Sequence, residues 1–175
     1  DHYVKQTYRN RCNIAGPEGV LSLSVPIIRP DTPKCAMKDI RISDHGNWRH
    51  LHWNAIESAY NNTPFFEYYK DDLRPFYENK YTFLADFNEE LRCKICELMD
   101  ISPVVEHTAS YHTDFLPDEA DYREVIHPKK DYTEVDKDFL PKPYYQVFES
   151  RHGFLPNLSV IDLLFNMGPE SVLVL

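Results

Sequence analysis

The sequence predicts an α/β fold: a single domain with a mixed sheet packed by three to four helices. Three observations carry that expectation. Apolar residues recur at spacings of three and four over residues 47–61, 64–77 and 82–99, the period of a helix with one buried face. Short segments near the N-terminus alternate with period two, as strands do. The 175 residues are 42 % hydrophobic, enough for one domain to bury a core.

The first strand is expected over residues 3–9. It runs into Lys5-Gln6-Thr7-Tyr8-Arg9-Asn10-Arg11-Cys12, and no carboxylate occurs between Asp1 and Glu18. In an extended chain Lys5, Arg9 and Arg11 share one face, with roughly 13 Å from Lys5 to Arg9 and about 7 Å from Arg9 to Arg11. Such a row suits a sheet edge guarded by charge. It equally suits an extended anion such as a diphosphate or a phosphorylated sugar. Residues 13–19 hold two Gly and a Pro and read as a loop. Residues 21–27 alternate apolar with small polar side chains and give a second strand, so the pair reads as a hairpin with a long turn. Residues 29–38 read as a loop. Residues 37–43 read as a short strand with Ile40 and Ile42 on one face.

Asn47 is placed to cap the first helix. Trp48, Leu51, His52, Ala55, Ile56, Ala59 and Tyr60 form one apolar stripe along it. Trp53 and Glu57 fall on another face at i and i+4, as a surface pair or as a carboxylate beside a stacking ring. Thr63-Pro64 opens the second, aromatic helix. The third carries Leu84, Phe87, Leu91, Ile95 and Leu98, with Glu90 and Lys94 as an outer ion pair. Ser102-Pro103 ends it, and residues 104–111 read as a strand. From 113 to 143 the period is lost. Thirteen charged side chains, nine of them acidic, lie between Asp114 and Asp138. This stretch reads as a loop excursion, either a lid or ordinary solvated chain. Residues 144–148 read as extended, 152–157 as a turn and 159–167 as a helix stopped by Gly168-Pro169.

The net charge of −9 argues against nonspecific nucleic-acid binding, which needs a basic face. No apolar run approaches the ~20 residues of a membrane span, and no signal peptide is visible. The four cysteines read as reduced structural thiols, because Cys93-Lys94-Ile95-Cys96 sits inside a periodic helix without the turn that zinc or redox motifs use. A cytoplasmic setting is therefore expected. The chain begins at Asp1 without Met, so an N-terminally incomplete domain is expected.

Among residues that can carry chemistry, His52 is the first general-base candidate, because imidazole titrates near neutral pH. Its other reading is a hydrogen-bonded core histidine. Asp162 follows Ser159 by three, the spacing of a capping box, with a site role as the alternative. His152 lies in the turn before the last helix. The helix start at residues 157–159 presents outward amides that can hold an anion. His107, His112 and Asp114 have no convincing metal-ligand spacing, so no metal is expected, and the cofactor is unknown. No G-x-S-x-G, Walker A or G-x-G-x-x-G pattern occurs.

Several blocks together resemble the WbqC-like family. They are residues 5–12, Leu23-Ser24-Val25-Pro26-Ile27, Ile40-Arg41-Ile42-Ser43, Asn47-Trp48, His52-Trp53, residues 56–60 and Pro64-Phe65-Phe66. The C-terminal blocks, 145–148 and 152–169, are similar in particular to the branch found in Bacteroidetes. No single motif is diagnostic; their order is. The resemblance implies a bacterial protein linked to surface polysaccharide (O-antigen) loci. It implies a transferase that adds a small aminoacyl or acyl group, such as glycine, to an amino sugar. A non-catalytic nucleotide-sugar-binding or assembly protein of the same pathway is the alternative. In the enzyme reading, Lys5, Arg9 and Arg11 hold phosphates. Asn10, Tyr60 and Asn157 join them in binding substrate, His52 accepts the proton, and His152 or Asp162 orients it. That reading requires the cations and a histidine to converge on one pocket. The expected partner is a sugar or nucleotide-sugar substrate.

Overall fold

The computed structural model describes residues 1–32, 34–108, 110–117, 119–130 and 140–175. The parts of the charged excursion at residues 118 and 131–139 therefore lie outside the described residues. The elements are β1 (Arg11–Gly16), β2 (Gly19–Ser24), α1 (Trp48–Tyr60), α2 (Phe66–Leu73), α3 (Pro75–Glu78), α4 (Leu84–Leu98), α5 (Glu149–His152) and α6 (Val160–Met167). The helices match the periodic segments, and the hairpin is present. The sheet is smaller than the sequence leads one to expect. Among the described residues it has two antiparallel strands rather than a mixed set.

The strand expected over residues 3–9 does not form. Gln6 takes a left-handed φ of 60°. The Thr7 hydroxyl donates to the Val4 carbonyl at 2.7 Å, so a local side-chain bond bends the chain. The three cations therefore do not line one face of a strand. β1 instead starts at Arg11 and runs through the segment read as a loop, with Ile14 and Ala15 fully buried. Gly16 pairs with Gly19, so the turn holds only Pro17 and Glu18. Proline second and glycine fourth is the preference of a tight type I turn, and Gly19 has a φ of 109°. Residues 37–43 and 104–111 are not strands either. The first keeps Ile40 and Ile42 buried through isolated bridges, Ile27 to Ile42 and Arg41 to Phe83. The second has no regular structure where it is described.

Two apolar clusters meet at α1. Trp48 packs with Ile40, Ile42, Leu84 and Phe87. Trp53, Ile56 and Tyr60 pack with Ile14, Phe66 and Phe165. A helix between two clusters buries a wider face than one stripe. Trp53 is accordingly 7 % exposed, while Leu51, expected inside, is 59 % exposed. Asn47 precedes α1 with a left-handed φ of 50° and makes no side-chain cap bond. The expected 64–77 helix divides at Arg74, where Pro75 opens α3 instead of continuing α2. Along α4, Leu84 and Phe87 are buried whereas Leu91 and Ile95 are half-buried. Lys94 pairs with Glu97 at 2.7 Å, and Glu90 instead accepts from the Tyr81 hydroxyl at 2.7 Å.

The C-terminal helix seats against the hairpin. The Ser159 amide donates to the Asn13 carbonyl at 2.7 Å. α6 ends at Gly168, whose φ of 56° and following proline stop it as expected. The described part of the excursion is tied to the N-terminal segment at three places. Arg9 donates to the Arg123 carbonyl at 3.4 Å, Lys129 donates to Gln6 at 2.6 Å, and His2 stacks on Tyr111 with centroids 4.4 Å apart.

Candidate functional site

A cavity of about 440 Å³ opens between the N-terminal segment, β2, α1 and α4. Arg9, Asn10 and Arg11 reach it from the turn into β1, and His52 reaches it from α1. α4 contributes Leu91 and Ile95, two of the three residues of its apolar stripe left half-buried, together with Asn88 and Arg92. Sequence reasoning missed this α4 wall. Its signal was present: an apolar stripe that outruns the core has to face something other than core.

The three arginines differ in what already holds them. Arg9 is paired with Asp1 at 2.7 Å. Arg92 is paired with Glu89. Arg11 donates to the Ser24 hydroxyl at 3.1 Å, and no ion pair to a carboxylate is formed by it among the described residues. Arg11 is thus the cation best able to meet a ligand's negative charge. Asn10 is structural as well as cavity-lining, because its side-chain amide donates to the Val25 carbonyl at 2.8 Å while its oxygen accepts from Tyr3.

Burial holds the His52 imidazole down to about 4, against the opposing effect of the Ser24 backbone. The ring is therefore neutral at pH 7 and can receive a proton, though weakly. Cys12 lines the same cavity. Burial pushes its thiol up to about 11, opposed by a hydrogen bond with Ser159, so it stays protonated at neutral pH.

The other expected site residues lie elsewhere. Lys5 is exposed and is not among the cavity walls. His152 has its Nε2 2.9 Å from the Pro17 carbonyl, which also accepts from Arg151 at 2.9 Å, so it clamps the hairpin turn. Tyr60 and Asp162 are fully enclosed. The Asp162 carboxylate accepts from the Tyr60 hydroxyl at 2.8 Å and from the Tyr144 hydroxyl at 2.7 Å. It makes no capping bond, so the capping-box expectation is overturned. Burial raises its proton affinity despite these donors. The reason for the placement is local: the apolar residues around Asp162 on α6 are buried, and the carboxylate goes in with them.

A second cavity of about 630 Å³ adjoins the first, and Tyr8, Val160 and Leu175 line both. Asn157, with a left-handed φ of 59°, borders this second space and donates to the Tyr8 hydroxyl at 2.8 Å. Among the described residues no group of three or more His, Cys, Asp or Glu is placed to hold a metal ion. No helix among them is long and apolar enough to cross a membrane. The four cysteines are free thiols.

Comparison with known proteins places this geometry in context. The model of the WbqC-like protein family matches residues 1–122. The chain is 26 % identical over 189 aligned residues to the uncharacterized protein Rv1507c of Mycobacterium tuberculosis, covering 97 % of this chain and 81 % of that one. No solved structure matches.

Proposed function

The chain belongs to the WbqC-like protein family, and from that premise we propose that it is a transferase of bacterial surface polysaccharide (O-antigen) synthesis. It adds a small aminoacyl or acyl group, such as glycine, to the amine of an amino sugar. The observation that carries this reading is the convergence of Arg9, Arg11 and His52 on one cavity. Arg11, with Arg9 beside it, holds the anionic group of the sugar substrate. The substrate amine attacks the activated carbonyl of the donor, its proton passes to the neutral His52 ring, and the donor's leaving group departs. A bound anion near His52 raises the ring's proton affinity, which brings the base closer to its working range. The α6 start, which borders both cavities through Val160, supplies amides for the developing oxyanion. In this reading Asp162, Tyr60 and His152 position the walls and do not touch substrate.

One observation favours a second reading, a non-catalytic sugar-nucleotide-binding or assembly protein of the same pathway. The His52 ring, held to about 4, is a poor base before ligand binds. The two readings separate on His52→Ala. Turnover of an amino-sugar nucleotide with a glycyl donor is followed by mass shift, and binding by calorimetry. The transferase reading expects turnover to fall at least 100-fold with binding within threefold. Equal turnover in variant and wild type, or no turnover in either, removes the enzyme reading.

A further inference from the structure

We propose that the two adjoining cavities form one bipartite site for an amphiphilic anion, an apolar chain ending in a phosphate. The proposal rests on the transferase reading only for its context, since it names a ligand class for these cavities rather than the reaction. The first cavity is walled on one side mainly by apolar side chains. Phe87, Leu91 and Ile95 of α4, with Leu23 and Val25 at the end of the hairpin, form that wall, and the charged side chains are arginines. Two nearby amides are already committed, Asn10 to the Val25 carbonyl and Asn88 to the Arg9 carbonyl. Such a space gains most by taking up apolar surface. An anionic head group is nonetheless selected by Arg11, whose one hydrogen bond among the described residues is to a neutral hydroxyl.

The second cavity extends the apolar path. Tyr8 lines both spaces, as Val160 and Leu175 do, with its hydroxyl fixed by Asn157. Beyond it stand Val125, Ile126, Phe154 and Leu158. A phosphate held at Arg11 thus leaves its chain running along α4 and past Tyr8. Isoprenoid and straight-chain phosphates both have this chemistry.

The test uses the whole chain with anilinonaphthalene sulfonate as a fluorescent probe. Butyl, octyl and dodecyl phosphate displace it at concentrations below micelle formation, with dodecanol and inorganic phosphate as comparisons. Affinity is expected to rise at least tenfold from butyl to dodecyl phosphate. Arg11→Gln should weaken every phosphate about tenfold and leave dodecanol unchanged. Val125→Trp should abolish the gain beyond octyl while butyl phosphate binds as before. Leu158→Trp is the second variant should Val125→Trp fail to fold. Farnesyl phosphate binding tighter than dodecyl phosphate assigns the isoprenoid source, and the reverse order assigns the straight chain; either supports the site. Affinity that is flat with chain length, or dodecanol binding as tightly as dodecyl phosphate, overturns it. A flat series with saturable nucleotide-sugar binding removes the amphiphile and leaves the transferase reading standing. A steep series with no aminoacyl transfer does the opposite.

Discussion

Replacing Tyr60 with Phe removes one oxygen from the centre of the molecule. That hydroxyl donates to Asp162 Oδ1 at 2.8 Å and accepts from the Ala15 amide at 3.2 Å. All three residues are fully buried, so water cannot replace what is lost. A hydrogen bond to a charged group is worth about 1.5–3 kcal/mol, and a buried amide left without an acceptor costs about 1–3 kcal/mol. Together they predict a loss of roughly 3–5 kcal/mol, or about 10 °C in Tm for a chain of this size. Tyr144→Phe removes a single bond to the same carboxylate, from a ring that is not fully buried, and should cost about half as much. Urea unfolding at pH 7 of both variants and of Asp162→Asn measures these terms. Coupling between Tyr60→Phe and Asp162→Asn should exceed about 1 kcal/mol. A Tyr60→Phe loss below about 1 kcal/mol would refute the reasoning, because the hydroxyl would then be dispensable to Asp162 and Ala15 alike.

Two further outcomes follow from the geometry. The His52 ring, held down to about 4 from an ordinary value near 6.5, should titrate in NMR well below the ordinary imidazole range. Its neutral form is the one that folding favours, so its contribution is complete above about 6.5 and is lost as pH falls toward 4. A His52 midpoint near 6.5 would place the ring in solvent and remove it from the cavity. Gly168→Ala should lower stability by more than about 2 kcal/mol in thermal melts, through a strained φ together with contact on a ring. The added Cβ would lie 2.5 Å from Phe65 Cδ1, at a residue whose φ is 56°. A loss under about 0.5 kcal/mol would mean that the Phe65 ring gives way freely.

The helices were legible because their apolar period survives in each segment. The Gly168-Pro169 stop was legible for the same kind of reason, since glycine and proline act through the backbone alone. The hairpin was displaced because Gly16, Pro17 and Gly19 belong to loops and to tight turns equally. The better signal was Ile14-Ala15 followed directly by them. The strand at residues 3–9 failed on Gln6 and Thr7, whose local bonding no period reports. Trp53 was misplaced because a single-stripe reading assumes one buried face, and α1 has clusters on two. Within the site, Arg9, Arg11 and His52 were found as separate candidates, and only the fold could bring them together. Asp162 was assigned to a cap by a spacing rule. A lone carboxylate within Val160-Ile161-Asp162-Leu163-Leu164-Phe165 was the sign that it is enclosed.

The bond between Tyr8 and Asn157 joins positions 149 apart in sequence. On a ribosome making about 5–20 residues per second, Tyr8 emerges roughly 7–30 s before its partner is made. Through that interval the nascent chain presents a hairpin without the α6 segment that seats against it. The second cavity is not closed until the segment holding Phe154, Asn157 and Leu158 has been made. Truncation before residue 157 should therefore leave not a weakened binder but a chain that chaperones and proteases recognise.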